Sequence, residues 1–382
     1  MRIAYVINSV EGGGAALPVP AVARLLRAHG ATVQVFALTR RDGRALPAME
    51  DAGLTVRVRD GGEKDHLAAL AWLDRTLAEW RPDVIWTSLS RATLLGQVVG
   101  RRRGTPVVSW QHAAFLKRAN LLLLRARQAH SALWIGDSHS VAALTAERLG
   151  VPAGRLAVWP LFAADAAAPQ ARPWRAGEPV RIGALGRLHP VKGHDVLIEA
   201  LARARGQSLY PLGPFEVRIA GEGRQRAALE RAVAAARLDN VRLTGFCDHP
   251  RDFLAELHLY VQPSRSEGLC IAAHEAMQAG LPTIVSRAGE MPYSVRDGET
   301  GLVIPPGDAD ALTQALIWLL SHPERLAGMG AAARARVLER FGAAAFERAG
   351  AEVVARLPLM IANAPARGPR QSPARPANGL SA

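Results

Sequence analysis

The segment VRIGALGRLHPVKGHDVLIEAL, residues 180–201, decides the fold class of this chain. Its first residues form an apolar run that suits a buried strand, and a helical pattern follows over 193–205. Gly186 stands where the strand ends, and a glycine allows the backbone to turn sharply at that point. The segment therefore predicts a strand, a tight turn and a helix, which is the repeating unit of an α/β fold.

The same alternation of short apolar runs and helical patterns extends in both directions and predicts βαβ units with parallel sheets. Before residue 180, strands are expected at Ile3–Ile7, Thr32–Leu38, Thr55–Val58, Val84–Thr87, Pro106–Trp110 and Leu133–Ile135. Helices are expected between them at Ala21–His29, Leu67–Trp80, Ala92–Arg101, Ala113–His130 and Val141–Leu149. After residue 180, strands FEVRIAG, VRLTG, LHLYVQPS, PTIVS and TGLVIPPGD alternate with helices at 193–205, 224–237, 250–256, 269–279 and 309–320.

A proline-containing stretch without periodicity divides the chain into two doubly wound domains. We expect a first domain at 1–160, a linker at 161–179 and a second domain at 180–340. Such a pair holds a ligand in the cleft beyond the carboxyl ends of its strands. A helix at 341–362 could return to the first domain, and the Pro- and Arg-rich tail 363–382 is expected to be disordered.

Composition narrows the class of protein. The length of 382 residues suits two domains, and the two cysteines, Cys247 and Cys270, have neither a disulfide framework nor metal-ligand spacing. The chain opens directly on a strand pattern, and no apolar run approaches the ~20 residues of a membrane helix. These features favour a cytoplasmic protein without a membrane-spanning anchor.

The net charge of +13 is concentrated in an acid-free stretch, residues 84–136. Nucleic acid, an anionic membrane surface and phosphorylated ligands are the partners that such a charge suits, although coding bias toward arginine also raises it. The predicted helix at 113–130 interleaves leucines and Phe115 with basic residues and could lie on an anionic membrane surface. An ordinary helix with solvated arginines is the alternative. The candidate membrane contacts are Lys117, Arg118, Arg125 and Arg127.

Two cations follow the first strand of the second domain. Arg187 and Lys192 lie in the turn and at the helix start, where exposed amides would strengthen their attraction for a diphosphate. A solvated loop with surface charges is the alternative.

A pair of glutamates stands eight positions apart in PSRSEGLCIAAHEAMQAG, residues 263–280. Glu267 belongs to the loop after a strand, and Glu275 lies inside the next helix, on the order of 10 Å further on at ~1.5 Å per residue. Carboxylates accept hydrogen bonds from paired hydroxyls, so the two could hold a sugar and a ribose. Alternatively, Glu267 compensates a helix dipole and Glu275 pairs with an arginine.

The first domain offers two further candidates. The loop NSVEGGGAAL follows the first strand, and Gly12, Gly13 and Gly14 would let the backbone approach a ligand, although a triglycine is also simply a flexible turn. His112, in SWQHAAF, ends a strand and would face the cleft, where a structural histidine is the alternative.

Taken in order, GRLHPVKGHDVLIEAL, VRIAGEGRQRAAL, VRLTGF, PSRSEGLCIAAHEAM, AGLPTIVSRAGEMP and DGETGLVIPPGD resemble the retaining glycosyltransferases of family four. The resemblance is dense over 180–340, weaker over 1–160, and implies the GT-B fold of two facing Rossmann-like domains. It implies that Arg187 and Lys192 bind the donor diphosphate, Glu267 the sugar hydroxyls, and Glu275 the ribose. It also implies that Thr244–Phe246 border the base and that the matching histidine, His112, acts at the donor sugar.

The resemblance therefore implies catalytic roles for Arg187, Lys192, Glu267 and His112. The donor site it implies comprises Gly13, Gly14, Gly186, Arg187, Lys192, Thr244, Gly245, Phe246, Glu267, Gly268, Leu269, Cys270 and Glu275. Five residues within or beside these motifs depart from the family pattern. They are Pro18 and Pro20 near the start of the first helix, Glu290 and Tyr293 in AGEMPY, and His274.

The reaction implied by the resemblance moves a sugar from a nucleoside diphosphate to a hydroxyl of a glycan or lipid-linked acceptor with retention. A UDP-sugar is favoured as donor and GDP-mannose comes next. No cofactor or metal is expected, because Arg187 and Lys192 can neutralise the leaving diphosphate. Asp308 and Asp310 have the spacing of a metal-binding DxD, but they lie at a helix start where aspartate caps.

Two other functions remain open. A nucleotide-sugar 2-epimerase shares the two-domain fold but lacks this dense set of motifs. A non-catalytic nucleic-acid-binding protein is suggested by the charge alone, and no aromatic-interleaved basic strand or helix-turn-helix pattern supports it. Nucleic acid is therefore not expected as a partner.

Overall fold

The computed structural model describes residues 1–112, 116–206 and 213–364 of the chain. The first domain contains a parallel sheet in the order β3-β2-β1-β4-β5-β6-β7. Its strands are β1 Arg2–Ser9, β2 Thr32–Thr39, β3 Thr55–Val58, β4 Val84–Ser88, β5 Val107–Gln111, β6 Leu133–Gly136 and β7 Leu156–Val158. Its helices are α1 Val19–Ala28, α2 Leu46–Asp51, α3 His66–Trp80, α4 Ser90–Arg103, α5 Arg118–Arg127 and α6 His139–Leu149.

The second domain repeats this pattern in a parallel sheet ordered β10-β9-β8-β11-β12-β13. Its strands are β8 Val180–Leu185, β9 Phe215–Ala220, β10 Val241–Gly245, β11 Leu259–Gln262, β12 Thr283–Ser286 and β13 Gly301–Ile304. Its helices are α7 His194–Gly206, α8 Arg226–Ala235, α9 Pro250–Ala255, α10 Ile271–Gln278, α11 Met291–Ser294 and α12 Ala309–Ser321. Two longer helices, α13 Leu326–Phe341 and α14 Ala343–Ala362, follow. The predicted doubly wound α/β architecture is confirmed.

Most predicted elements are present, with differences at their ends. Helix α1 starts at Val19, with Pro18 at its N-cap, so the prolines initiate the helix as expected. The helix predicted at 113–130 is shorter, because α5 spans Arg118–Arg127 and a 3₁₀ turn follows it. Residues 113–115, including Phe115, and the tail from 365 onward lie outside the described residues. Helix α2 and strand β7 were not predicted.

The two domains are joined by two chain crossings that contact each other. The amide of Ala164, on the outgoing crossing, donates to the carbonyl of Phe341, 2.6 Å away on the returning one. Helix α14 then packs on the first domain, where the Phe346 ring lies 5.4 Å from that of Trp159. Trp159 in turn stacks on Trp110 at 4.9 Å, so the last helix is part of the first domain's core.

Both sheets direct the carboxyl ends of their strands toward the seam between the domains. Gly268, which follows β11, has no room for a side chain, because a Cβ there would collide with the carbonyl oxygen of His112 after β5. A Cβ on Gly14 would come within 3.4 Å of Ile271 at the start of α10. The loops that carry the predicted site residues therefore meet across one cleft.

Candidate active site

The turn between β8 and α7 places the two predicted cations as the sequence suggests. Gly186 has φ +156 at the strand end, a conformation that only glycine adopts easily. Arg187 is exposed and has no ion pair among the described residues. Lys192 lies in a 3₁₀ turn and is followed by Gly193, where a Cβ would collide with the carbonyl of Pro263. Lys192 is thereby held against the loop that carries Glu267.

Lys192 and Glu267 bind each other in this structure. The ammonium lies 2.7 Å from Oε1 of Glu267, which also accepts a hydrogen bond of 2.6 Å from the hydroxyl of Ser264. Burial alone would lower the pKa of Lys192, but the Glu267 carboxylate outweighs that effect and the pKa is raised. The sequence assigned these side chains to separate parts of a donor. The structure shows a single charged pair at the C-terminal ends of β8 and β11.

Glu275 is a carboxylate without a partner. It lies on α10, half-buried, and its side chain makes no hydrogen bond or ion pair within the described part of the chain. Burial raises its pKa to about 7, while the charge of Arg251 opposes the rise. The alternative that Glu275 pairs with a nearby arginine is not supported, because Arg251 forms its ion pair with Asp165.

The segment before α10 differs from the prediction. The helix was expected from residue 269, but Cys270 has φ +64 and α10 begins at Ile271. A left-handed residue cannot continue a helix, so Leu269 and Cys270 form the turn into it. Both are buried, and burial raises the pKa of the Cys270 thiol.

The glycine loop of the first domain faces the segment predicted to border the base. The amide of Gly12 donates to Asp42 at 3.0 Å, and the neighbouring Arg44 guanidinium lies 3.5 Å from the centre of the Phe246 ring. The carbonyl of Gly13 accepts from the amide of Ala16 at 3.0 Å, which closes the loop into a turn. Arg44 therefore contacts the second domain, a role that no sequence motif indicates.

Phe246 follows the two other residues of the predicted base-binding segment, at the end of β10. Gly245 has φ +84, and its carbonyl accepts a 2.6 Å hydrogen bond from the amide of Gly221. The Thr244 hydroxyl points to the carbonyl of Ile219 at 3.5 Å. These bonds tie the β10 end to its neighbour β9.

His112 lies at the C-terminal end of β5, with its side chain almost wholly buried. One ring nitrogen, Nε2, is hydrogen-bonded to the Ser88 hydroxyl at 2.6 Å. The other, Nδ1, faces the carboxylate of Asp137 at 3.8 Å, which is too long for a hydrogen bond. Burial lowers the pKa of His112 to about 3, so the ring is neutral. Sequence reasoning found His112 but missed Ser88 and Asp137.

Two of the departures in the motifs have structural partners. The Glu290 carboxylate accepts from Arg340 at 2.9 Å and from the amide of Ser140 at 3.3 Å, so it links α13, α11 and the start of α6. His274 is fully buried, with its ring nitrogens bonded to the Cys270 carbonyl and the Ser294 hydroxyl. Neither side chain is free to bind a ligand as the structure stands.

A cavity of 490 Å³ lies away from these residues. It is bounded by β7, the two crossings and α14, where Arg348 and Arg356 line it. None of the predicted donor-site residues borders it. The predicted site is instead a narrow seam whose walls touch.

The predicted membrane-contact residues lie on or next to α5. Lys117, Arg118 and Arg125 are exposed, Arg127 is half-buried, and none has an ion pair among the residues that the structure describes. Between them Leu122 and Leu123 are 59% and 50% exposed, whereas Leu124 packs inward. Elsewhere in the acid-free stretch, Arg91 and Arg103 pair with Asp65 and Asp74. Within the described ranges, none of the helices combines the length and low polarity needed to cross a bilayer.

Comparison with known proteins agrees with this geometry. The sequence profile described as "Glycosyl transferases group 1" matches residues 179–322, and that described as "Glycosyltransferase Family 4" matches residues 12–163. The 2-deoxystreptamine N-acetyl-D-glucosaminyltransferase of Streptomyces fradiae is 31% identical over 74% of this chain and 72% of its own length. The amylovoran biosynthesis glycosyltransferase AmsK of Erwinia amylovora is 33% identical over 47% of this chain and 46% of that protein.

A GDP-mannose-dependent mannosyltransferase of Corynebacterium glutamicum is 36% identical over 40% of each chain. The similarity thus spans less than half the length of several relatives. Among solved structures, HepE of Anabaena in complex with UDP-glucose superimposes with a TM-score of 0.81 at 21% identity, covering 93% of this chain and 99% of HepE. At that identity the superposition shows the GT-B fold. This chain belongs to the family 4 glycosyltransferases, also described as glycosyl transferases group 1.

Proposed function

We propose that this protein transfers a sugar from a nucleoside diphosphate sugar to a hydroxyl group of an acceptor, with retention of the anomeric configuration. The observation that carries the proposal is the arrangement along the second sheet's C-terminal edge. The Lys192–Glu267 pair lies there, facing the glycine loop, together with the Arg187 guanidinium and the Glu275 carboxylate, neither of which has an ion pair among the described residues. Cations suit a diphosphate, and carboxylates suit the hydroxyls on both sides of it.

Stabilisation of the leaving group would supply most of the rate enhancement. As the glycosidic bond breaks, negative charge grows on the diphosphate, and Arg187 and Lys192 would neutralise it. Sugar hydroxyls donating to Glu267 would replace the ammonium that now occupies this carboxylate, which frees Lys192 for phosphate. Attack from the face of the departing diphosphate, which takes the acceptor proton, gives retention.

The reaction needs no metal under this proposal, because the two side-chain cations do the work of Mg²⁺. Undiminished turnover in excess chelator would support this, and activity restored only by a divalent cation would contradict it. The configuration of the product, read from the anomeric proton's coupling in NMR, tests retention separately.

A UDP-sugar is the favoured donor and GDP-mannose the second choice. HepE is similar in fold and its structure contains UDP-glucose, whereas several relatives in sequence are named as GDP-mannose-dependent. Relatives named for amylovoran biosynthesis and lipopolysaccharide core biosynthesis support a glycan or lipid-linked acceptor of the cell envelope or an exopolysaccharide. The site is expected to work in the cytoplasm, where nucleotide sugars are available.

Contact with an anionic membrane surface would bring this cleft to a lipid-linked acceptor. Two observations support such a contact. Leu122 and Leu123 are exposed, and the adjacent Arg118 and Arg125 have no ion pair among the described residues. Insertion of apolar side chains and attraction to anionic lipids would then act together. Sedimentation with vesicles of phosphatidylglycerol and phosphatidylcholine tests it. Binding should fall when Leu122 and Leu123 are changed to Ser, while the same change at Leu359, which is 70% exposed on α14, serves as the control. Equal binding by all three proteins would contradict the proposal.

The decisive test of function is the release of nucleoside diphosphate. Wild-type protein supplied with UDP-glucose or GDP-mannose should release UDP or GDP only when an extract of envelope glycolipids is added, and Lys192→Met should abolish the release. A product epimeric at C2, formed without any acceptor, would instead establish the epimerase. Tight, steeply salt-dependent binding to duplex DNA without nucleotide release would favour the nucleic-acid alternative.

A further inference from the structure

Unsatisfied polar atoms meet where β5 and β6 end. Asp137, directly after β6, is 4% exposed, and its Oδ1 has no hydrogen-bond partner among the described residues. Nδ1 of His112, directly after β5, is likewise buried without a partner in the part of the chain that the structure describes. The two strands are neighbours, and the amide of Asp137 donates to the carbonyl of Gln111 at 3.2 Å. A buried carboxylate oxygen without a hydrogen-bond partner is costly, so such a site is a candidate for ligand binding.

The geometry between these atoms suits one hydroxyl group. Oδ2 of Asp137 and Nδ1 of His112 are 3.8 Å apart, so an oxygen placed between them can lie about 2.8 Å from both. A hydroxyl donates one hydrogen bond and accepts others, which matches a carboxylate on one side and a ring N–H on the other. The hydrogen bond between the Ser88 hydroxyl and His112 Nε2 holds the ring in this orientation, and when the hydroxyl donates, the proton of the neutral ring is on Nδ1.

The pair faces the sugar end of the proposed donor site. Gly268, the residue after Glu267, is so close that a Cβ there would lie 3.4 Å from Oδ1 of Asp137. Besides burial, the charges of Glu290 and Glu267 raise the pKa of Asp137, and the Leu269 amide partly opposes them. Glu275 lies toward the other end of the proposed donor site. There burial, together with the charge of Glu275, raises the pKa of the Cys247 thiol, which follows β10.

We propose that Asp137 is a specificity-determining residue which, together with His112, binds one hydroxyl group of the transferred sugar. This inference rests on the proposed function. The sugar is held from both domains, by Glu267 on one side and by Asp137 on the other. The donors selected are nucleotide sugars with a free hydroxyl at the position that reaches Asp137, and the corresponding deoxy sugars are discriminated against.

Calorimetric titration separates the sugar from the nucleotide. Wild type, Asp137→Ala and the control Asp239→Asn, an exposed acid before β10, are titrated with UDP, UDP-glucose, GDP and GDP-mannose. Asp137→Ala should weaken binding of the preferred nucleotide sugar at least tenfold and leave binding of its free nucleotide within twofold of wild type, since the sugar hydroxyl loses a hydrogen-bond partner in a buried site. The control should match wild type.

Deoxy donors give a second readout that does not depend on the folding of one variant. Wild type should bind one of the 2-, 3-, 4- and 6-deoxy forms at least tenfold more weakly than the parent donor, and Asp137→Ala should reduce that ratio below threefold. Ser88→Ala, which releases His112, should reduce it partly. Equal weakening of sugar-bearing and free nucleotides by Asp137→Ala, or no weakening, would overturn the inference alone. Failure of wild type to bind any of the four nucleotides would overturn the proposed function and this inference with it.

Discussion

Replacement of Glu275 by Gln should stabilise the folded protein at neutral and alkaline pH. The ordinary pKa of a glutamate, 4.5, applies to the unfolded chain, and burial raises the pKa to about 7 in the folded protein. The folded state therefore binds the proton more tightly, and stability falls as the pH rises from about 4.5 to about 7. At ~1.36 kcal/mol per pKa unit, the carboxylate costs at most about 3 kcal/mol above this window.

The measurement is urea unfolding of wild type and Glu275→Gln at several pH values. The free energy of unfolding should be nearly the same for both proteins at pH 4, and the variant should gain up to about 3 kcal/mol by pH 8. Glu324→Gln, at an exposed position, is the matched control and should track wild type throughout. If the difference in free energy of unfolding between wild type and Glu275→Gln does not vary with pH, burial does not raise the pKa of Glu275.

Such a result would also show why the acid is retained. A carboxylate that lowers stability is kept where it contributes to function, and here it would accept the ribose hydroxyls of the donor. Glu275→Gln should accordingly bind nucleotide more weakly than wild type at pH 8, although it is the more stable protein. Bound nucleotide should raise the melting temperature of wild type more than that of Glu275→Gln. The difference between the two melting temperatures should therefore become smaller when nucleotide is present.

Three further predictions follow from the contacts. Lys192→Met leaves the Glu267 carboxylate buried without its cation and should lower the free energy of unfolding, measured in urea, by about 3 kcal/mol. The double variant Lys192→Met with Glu267→Leu removes both charges and should recover most of that loss. Phe346→Ala removes a buried ring that joins α14 to the first domain and should cost about 3–5 kcal/mol by the same assay; a loss below 1 kcal/mol would contradict this packing. Gly268→Ala should hold the domains apart at His112, visible as a larger radius of gyration in X-ray scattering, and an unchanged radius would argue against the contact.

The fold could be predicted because its signals are local. Runs such as Val180–Leu185 are apolar over a strand's length, and glycine follows directly. The missed elements lack such signals. Helix α2 has six residues and β7 three, and β7 exists only because β6 offers it an edge on which to pair. Helix α10 starts late because Cys270 takes a left-handed conformation, which nothing in the residue type indicates.

The positions of the candidate site residues at the ends of strands could be predicted from the sequence, but their pairings could not. Lys192 and Glu267 are 75 positions apart, and only the fold brings them within 2.7 Å. Arg340 and Glu290 are 50 positions apart for the same reason. Asp137 could have been predicted. It directly follows a buried strand, and that strand neighbours the one that ends before His112, so both residues lie at the same edge of the sheet.

Binding of nucleotides to wild type and Glu275→Ala is the most direct test of the proposed donor site. Melting temperatures are measured with UDP, GDP, ADP and their sugar conjugates. We expect one nucleotide and its conjugate to stabilise wild type by several degrees and Glu275→Ala to lose this gain. If no nucleotide in the panel raises the melting temperature of wild type, Arg187, Lys192 and Glu275 do not form a donor site.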